Sequence, residues 1–355
     1  MKPPYRVPSM SEISSLPWNG FNVVSTFSGC GGSSLGYRMA GFRVLLASEF
    51  IDAARKTYQA NAASYTKLDG RDIREVSAED ILEQIGLDRG DLDLFDGSPP
   101  CAAFSTAGVV DRGWGAVRKY SDTKQRVDDL FFEYARLVEG LQPKTFVAEN
   151  VSGLVRGKSK GYFNRILARL SECGYRVGAK VLDAQWLGVP QMRKRLIFVG
   201  VRYDLGLDPV FPKPLPYRYS IRDAIPWIDD DSKSPFPIEP ECDISAYALG
   251  RLWDETPVGS THKKRFNLMK PHPDEPANTI VARAAEPSAA SVVHPLSKRK
   301  FSVAELRRLC GFPDDFVLVG DYRKQVERLG RAVPPVMMSH IAAEIRDRIL
   351  RRLAR

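Results

Sequence analysis

Short apolar runs separated by polar turns and amphipathic stretches fill the first 200 residues. An apolar run at 21–27 leads into Ser28-Gly29-Cys30-Gly31-Gly32, and after a helical stretch comes a second apolar run at 42–48. Ser33 or Ser34 is expected to cap that helix. A strand, a glycine turn, a helix and another strand form a βαβ unit, so the pattern predicts an α/β fold with a parallel sheet and right-handed crossovers.

The same alternation continues to about residue 200 and then stops. It predicts helices at 130–141 and 163–173, and strands at 92–96, 145–148, 175–183 and 196–201. The proline-rich lead-in before residue 21 is expected to be loose. Beyond Val201, frequent prolines interrupt every periodic stretch. We therefore predict a first domain of residues 1–200, completed by 325–355, and an irregular second domain of residues 201–324. A final helix at 336–353 is expected to pack on the first domain.

Three chemically distinctive groups follow predicted strands. Ser98-Pro99-Pro100-Cys101 comes after the strand at 92–96, Glu149-Asn150 after the strand at 145–148, and Glu49 after the strand at 42–48. Because ligands of parallel sheets gather at the carboxyl ends of the strands, these groups are expected to share one sheet edge. Two prolines hold the Cys101 thiol on a stiff segment. Taken alone, Cys101 is equally compatible with a small core residue.

The glycine turn and Glu49 favour a nucleoside-bearing ligand. Glycines permit close backbone approach, and the following helix offers free N–H groups. Glu49 is placed to accept hydrogen bonds from a ribose diol, although a tight turn with a surface glutamate is the alternative. The turn departs from the dinucleotide fingerprint, because Ser34 stands where a third glycine is needed. Asp72-Ile73 could contact an adenine edge, and a capping or surface aspartate explains it equally well.

Charge and cysteine usage narrow the class of partner. The net charge is +9, and the basic residues concentrate in a glycine-bearing loop at 105–127 and in a segment at 251–310. This favours a polyanion, with the loop as a mobile lid suited to a phosphate backbone. The five scattered cysteines have no metal-site spacing, which predicts no metal and a reducing compartment. No signal peptide or membrane span is evident, so a cytoplasmic protein is expected, and we expect a monomer.

The ordered motifs resemble the DNA (cytosine-5)-methyltransferase family of restriction–modification type. The resemblance covers nearly the whole chain. It implies a Rossmann-like S-adenosylmethionine-dependent methyltransferase fold, with a mixed, mostly parallel sheet, and a target-recognition domain at 201–324. Its partners would be double-stranded DNA and a cognate restriction endonuclease acting separately. The motifs that carry it are Phe27–Gly32, Pro99-Pro100-Cys101, Glu149-Asn150-Val151, Gln191-x-Arg193-x-Arg195, Glu305–Phe316 and Gly330–Pro335.

The resemblance also implies the site residues. The implied catalytic residues are Cys101, Glu149, Asn150, Gln191, Arg193 and Arg195. The implied cofactor is S-adenosyl-L-methionine, contacted by Phe27, Ser28, Gly29, Cys30, Gly31, Gly32, Glu49, Phe50, Asp72, Ile73, Ser98, Pro100, Leu130 and Val333. Two positions depart from the family pattern: Ala102 replaces the usual glutamine, and Arg331 the usual asparagine. The asparagine's cofactor contact is therefore not carried over to Arg331.

Chemistry explains why these residue types belong together. Carbon-5 of cytosine becomes nucleophilic after a thiolate adds at carbon-6, which is the role implied for Cys101. A nearby arginine, Arg193 or Arg195, would favour the thiolate. Glu149 would hydrogen-bond ring nitrogen-3, and Asn150 would orient neighbouring groups. The target base must leave the duplex stack to be reached.

Three alternatives remain at this point. The same chemistry could act on transfer RNA, as in one branch of the family. A nicotinamide-dependent oxidoreductase would use a similar βαβ unit, but Ser34 and the Pro-Pro-Cys segment argue against it. A DNA-binding protein without catalysis is disfavoured because Cys101, Glu149 and both arginines are retained.

Overall fold

The computed structural model describes residues 2–100, 118–120, 123–125, 129–157, 160–286 and 291–353. The predictions for Cys101 and Ala102, and those for most of the loop at 105–127, lie outside these ranges. The strands are β1 Asn22–Thr26, β2 Arg43–Ser48, β3 Lys67–Asp69, β4 Leu94–Gly97, β5 Arg118–Tyr120, β6 Thr123–Gln125, β7 Thr145–Val151, β8 Tyr175–Asp183, β9 Gln191–Met192, β10 Lys194–Arg202, β11 Ser260–His262, β12 Arg265–Lys270 and β13 Ala277–Asn278. The helices are α1 Met10–Ser15, α2 Gly32–Met39, α3 Asp52–Asn61, α4 Ala78–Ile85, α5 Leu130–Leu141, α6 Lys160–Glu172, α7 Ile221–Ala224, α8 Ala248–Glu255, α9 Val303–Leu309, α10 Tyr322–Arg331, α11 Pro335–Ile345 and α12 Arg351–Leu353.

Seven strands form the main sheet, in the order β3-β2-β1-β4-β7-β10-β8. Strand β10 runs antiparallel to β7 and β8, and the other pairs are parallel. The central strands are apolar and buried because helices cover both faces, as expected for a parallel sheet. The predicted α/β class with a mixed, mostly parallel sheet is confirmed.

Each face of the sheet has its own apolar core. On one face α4, α5 and α6 pack, with Tyr134 stacked on Phe95 at a centroid distance of 5.0 Å. On the other face lie α2 and α11. A Cβ at Gly36 would lie 2.5 Å from Cβ of Met338, so these two helices are in close contact. The prediction that the C-terminal helix packs on the first region is thus confirmed. Among the described helices, none is long and apolar enough to cross a membrane.

Two local predictions are wrong. The lead-in is not loose throughout, because Met10–Ser15 forms helix α1 with a reciprocal capping box between Ser9 and Glu12. Ser33 and Ser34 do not cap α2. The N-cap is Gly31, which has a φ of 95° and no side chain to offer, while both serines are buried inside the first turn. The α2 amide groups are therefore left without a side-chain cap.

A third apolar core contains side chains from both the first 200 residues and the part of the chain after residue 201. It contains Ile13, Cys30 and Leu35 from the first 35 residues together with apolar residues between Ile221 and Leu329. The glycine turn is consequently backed by the second region of the chain and does not rest on the sheet alone.

Candidate active site

The glycine turn leaves strand β1 through a sharply folded backbone. Phe27, Gly29 and Gly31 have φ values of 51°, 57° and 95°. The left-handed conformation is easy for glycine but costs energy for Phe27, and such strain persists where the surroundings enforce it. Ser28 Oγ donates to the Ser25 carbonyl at 2.9 Å and so fixes the start of the turn. The amides of the turn are engaged within the protein: Ser28 donates to the Ser48 carbonyl, Gly29 to Glu49 and Gly31 to the Ser28 carbonyl.

Glu49 closes the turn from the neighbouring strand. Its Oε2 accepts from the Gly29 amide and its Oε1 from the Ile51 amide, both at 2.7 Å. Burial raises the pKa of Glu49 above its usual range, with the two amides acting in the opposite direction. Each carboxylate oxygen has a second lone pair, so two acceptor positions remain for a diol. Phe50, next to it, is 41% exposed and offers a free aromatic surface.

Asp72 and Ile73 follow strand β3. Asp72 accepts from the Arg74 amide at 3.0 Å and pairs with the Arg74 guanidinium, also at 3.0 Å. The capping alternative considered from the sequence is therefore present in the structure. Ile73 is buried. Their contact with an adenine ring stays a prediction.

Gly32 and Cys30 contact the C-terminal part of the chain, and Leu130 and Val333 are core residues. A Cβ at Gly32 would lie 2.2 Å from the Val333 carbonyl oxygen, so only glycine lets the chain before α11 approach the turn. The Cys30 thiol faces the Arg328 carbonyl at 3.7 Å, and burial raises its pKa to about 12. Leu130 and Val333 are buried in the two sheet cores.

Glu149 and Arg195 form the most direct pairing among the predicted catalytic residues. Arg195 Nε lies 2.6 Å from Glu149 Oε1, and both side chains are largely buried. Strand register explains the contact: Glu149 pairs with Ile197 across β7 and β10, which places Arg195 two residues along on the same face. The structure thus brings the Glu149 carboxylate and the Arg195 guanidinium together at the sheet edge.

Asn150 holds the segment that precedes the cysteine. Its Nδ2 donates to the Pro99 carbonyl at 3.2 Å, and its Oδ1 accepts from the Val151 amide at 2.8 Å. The Ser98 amide donates to the Thr26 carbonyl at 3.4 Å, and Pro100 is half-buried. These contacts give the approach to Cys101 a fixed path from two neighbouring strands.

Among the described residues, Gln191 and Arg193 hydrogen-bond to the C-terminal half of the chain and not to Glu149. The Arg193 guanidinium is buried and donates to the carbonyls of Ile280, Gly330 and Ala332 at 2.8–3.0 Å. Burial lowers its pKa below the usual arginine range. The two arginines were expected on one face, but they serve different partners.

Gln191 also bonds to the C-terminal half of the chain, near the carbonyls that Arg193 contacts. It donates to the Leu309 carbonyl at 3.1 Å and accepts from the Ile280 amide at 3.1 Å. Gln191 and Arg193 therefore connect β9 and β10 to three segments of the C-terminal half. A catalytic role for either stays a prediction.

A buried polar cluster at 231–305 is the one described group with metal-like composition. Asp231, His294 and Glu305 place ligand-type atoms within 4.8 Å of one another. However, Arg299 already bridges both carboxylates at 2.6–2.9 Å. His294 Nδ1 accepts from two backbone amides, so the proton of the neutral ring lies on Nε2 and leaves no lone pair for a metal. The cluster is an ion-pair network.

Asp96 is a buried carboxylate that was not predicted as part of the site. It lies on β4, five residues before Cys101, and accepts from Ser25 Oγ at 2.8 Å and Tyr37 OH at 3.0 Å. An acid inside the apolar run at 92–96 is the sequence signal that could have identified it.

Comparisons with known proteins agree on one family. The profile of the family described as C-5 cytosine-specific DNA methylase matches residues 21–347. The chain is 30% identical to the type II methyltransferase M.NgoPII of Neisseria gonorrhoeae, covering 96% of this chain and 100% of that one. It is 31% identical to M.MthTI of Methanothermobacter thermautotrophicus, covering 92% and 97%.

Structural comparison agrees on the fold. A protein described as a DNA modification methyltransferase from an E. coli prophage superposes with a TM-score of 0.72 at 24% identity, covering 94% of this chain and all of that one. DNMT2 of Spodoptera frugiperda superposes with a TM-score of 0.65 at 16% identity, covering 90% and 98%. The fold is the Rossmann-like fold of methyltransferases. The chain belongs to the C-5 cytosine-specific DNA methylase family, and it is a DNA cytosine-5 methyltransferase.

Proposed function

We propose that Cys101 is the nucleophile that adds to carbon-6 of a flipped cytosine. The observation that carries this proposal is the convergence of Glu149, Arg195 and Asn150 where the Pro99-Pro100 segment ends. The four cysteines in the described part of the chain are all buried. Burial raises the pKa of each of them, which disfavours the thiolate. Cys101 is thus the cysteine that remains for covalent chemistry.

Glu149 and Arg195 would act on the ring while the thiolate adds. Addition at carbon-6 pushes electron density towards nitrogen-3, where Glu149 supplies a hydrogen bond or a proton. Arg195 fixes the carboxylate from the adjacent strand at 2.6 Å. Carbon-5 then forms a bond to the methyl group and gives its proton to a base. The electrons of that C–H bond form the carbon-5–carbon-6 double bond and expel Cys101 as the thiolate, and nitrogen-3 returns any proton to Glu149. Asn150 keeps the cysteine segment in register with Glu149.

S-adenosyl-L-methionine is the methyl donor that we propose for the glycine turn. When bound, it supplies an activated methyl group. The residues present fit it: Gly29 has open space where a Cβ would be, α2 begins without a side-chain cap, and Glu49 keeps free acceptor positions. Glu49 would hold the ribose diol, Phe50 would cover one side of the adenine, and Asp72 and Ile73 would border its edge.

The region 201–324 is our candidate for target recognition in double-stranded DNA, with residues 1–200 and 325–355 as the catalytic domain. A hairpin of β11 and β12 supports this assignment. All five residues of its tip, Lys263-Lys264-Arg265-Phe266-Asn267, are exposed, and Phe266 is 76% exposed. Three cations beside an exposed ring suit phosphates next to base edges.

The base of the hairpin is held by several side-chain contacts. Lys270 Nζ lies 3.2 Å from the centre of the Trp253 ring, and Trp253 Nε1 donates to the His294 carbonyl at 2.8 Å. Leu268 packs into a separate small core with Ile244, Leu249 and Val293. A fixed base holds the exposed tip in one orientation, as a recognition element requires.

The hairpin can be tested by DNA binding. Phe266→Ala should weaken binding to the target duplex about tenfold and leave non-specific binding unchanged, since one apolar contact is worth about 1–2 kcal/mol. Lys263→Ala/Lys264→Ala should weaken both and reduce the salt dependence. Lys233→Ala/Lys213→Ala, which removes two exposed lysines elsewhere in the region, is the control. Unchanged target binding by all three variants would contradict the assignment.

We further propose that the protein acts as a monomer and protects host DNA from a separate restriction endonuclease. The protective role is supported by the type II methyltransferases that the chain resembles over nearly its whole length. Expression in a methylation-free host, followed by bisulfite sequencing, should reveal 5-methylcytosine confined to one short sequence. Labelled methyl transfer to duplex DNA and to transfer RNA, measured in parallel, separates the two substrates. Incorporation into RNA alone would contradict the proposal.

A further inference from the structure

Burial of the Asp96 carboxylate lowers the stability of the folded protein. Asp96 is 1% exposed at the centre of the sheet, between β1 and β7. Burial raises its pKa to about 7, with the negative charge of Glu149 acting in the same direction. In the described part of the chain no lysine or arginine pairs with it. A buried carboxylate with only hydroxyl partners costs stability, so its retention calls for a reason beyond packing.

Its partners belong to the elements that build the glycine turn. Ser25 Oγ, on β1, donates to Asp96 Oδ2, and Tyr37 OH, on α2, donates to Oδ1. The network reaches the turn through Ser28 Oγ, whose one hydrogen lies between the Ser25 carbonyl oxygen at 2.9 Å and Ser25 Oγ at 3.2 Å. A line of hydrogen bonds therefore runs from the turn to the strand that leads to Cys101.

We propose that Asp96 is a positioning residue for methyl transfer, which fixes the glycine turn against the strand that carries the nucleophile. The inference rests on the proposed function, in which the turn holds S-adenosylmethionine and Cys101 is the nucleophile. The ionised carboxylate accepts from Ser25 and Tyr37 at once. When the carboxyl is protonated, the oxygen that carries the hydrogen is a poorer acceptor, so the hydroxyl contact to that oxygen is weakened.

This mechanism links cofactor binding to pH. The titratable groups that face Asp96 are Tyr37 on α2, Tyr58 on α3, Tyr134 on α5 and Glu149 on β7. Burial raises the pKa of all three tyrosines above their usual range, so they stay neutral between pH 6 and pH 8. Above pH 7 the charged Asp96 holds both donors and the turn is fixed. Below pH 7 the turn is held less firmly.

The test compares Asp96→Asn with a matched variant, Asp93→Asn. Asp93 is also buried on the approach to β4, but its carboxylate contacts Lys144 and the Asn22 amide, at the opposite end of the strands. The measurement is the affinity for S-adenosylhomocysteine by calorimetry at pH 6 and pH 8. Titration of the ligand itself is common to all variants and cancels in the comparison.

The wild type and Asp93→Asn should lose about fivefold more affinity than Asp96→Asn on going from pH 8 to pH 6, the equivalent of about one net hydrogen bond. Asp96→Asn should match the wild type at pH 6. Tyr37→Phe removes only the hydroxyl that donates to Asp96, and it should lower the affinity for S-adenosylhomocysteine mainly at pH 8. Parallel pH profiles for the wild type, Asp96→Asn and Tyr37→Phe would overturn the role of Asp96. Absence of S-adenosylhomocysteine binding by the wild type would instead overturn the cofactor assignment on which it rests.

Discussion

Arg195 Nε lies 2.6 Å from Glu149 Oε1, across two antiparallel strands. The carboxylate is thereby held in one orientation at the end of the strand beside β4. The ion pair joins residues from two separate sequence motifs. In the mechanism that we propose, the orientation of the carboxylate decides whether Glu149 can reach nitrogen-3 of a flipped cytosine.

Arg195 should therefore matter through the position of Glu149. Arg195→Lys keeps the charge but loses the planar guanidinium, and Arg195→Gln loses both. Single-turnover methyl transfer should fall in that order, by about tenfold and about a hundredfold, because small misplacements of a catalytic group have effects of this size. Lys194→Gln, at an exposed neighbouring position, is the control. Equal rates for the wild type and Arg195→Gln would refute the role.

Arg193 should matter through stability. Arg193→Met leaves two buried carbonyls and one partly buried carbonyl without their donor, which should lower the free energy of unfolding by roughly 3–5 kcal/mol in urea titration. Lys194→Met should change it little. A variant as stable as the wild type but inactive would instead support the catalytic role implied by the sequence motif.

Gly32 should tolerate no side chain. Gly32→Ala places a Cβ 2.2 Å from a backbone oxygen that cannot rotate away. We expect a loss of roughly 2–3 kcal/mol in unfolding free energy, as for overpacking, and weaker cofactor binding. The matched change Gly161→Ala lies on α6, where nothing is within 4 Å of the new Cβ, and should be neutral or slightly stabilising. Equal stability of the two variants would contradict the close approach of Val333.

Asp96 should give the folded protein a defined pH dependence. Its pKa rises from an ordinary 3.8 to about 7 on folding. Below pH 3.8 both states are protonated and the group contributes nothing. Between these values the unfolded chain releases a proton that the folded chain keeps, so stability falls as pH rises. Above pH 7 the penalty is complete.

The measurement for Asp96 is the difference in unfolding free energy between Asp96→Asn and the wild type at pH 5 and pH 8. From pH 5 to pH 8, the unfolding free energy of Asp96→Asn should rise relative to that of the wild type by on the order of 2–3 kcal/mol. A constant difference would show that Asp96 does not titrate there.

The sequence was informative where local chemistry decides the structure. The apolar runs, the glycine turn and the strand-end residues predicted the α/β sheet and placed Glu49 and Glu149 at its edge. The spacing of Ser9 and Glu12 is that of a capping box, which is the local signal for helix α1.

Contacts between residues that are far apart in the sequence could not be predicted from local patterns. Arg193 meets carbonyls 87 and more residues away, and Tyr37 meets Asp96 across 59 residues. A motif shows that an arginine is present but not which partner its side chain finds. The same limit applies to the cap of α2, which is Gly31 and not a serine. The cap position depends on the path of the glycine turn, and that path is constrained by Val333 and by the apolar residues between Ile221 and Leu329.

The most direct test of the central claim is covalent trapping on 5-fluorocytosine. A duplex carrying the mapped target site with this base should let Cys101 add and the methyl group transfer, but fluorine cannot leave as a proton does, so the adduct persists. The account predicts a denaturant-resistant protein–DNA band for the wild type and for Cys310→Ala, and none for Cys101→Ser. A band that survives Cys101→Ser, or its absence in an active wild type, would contradict the account.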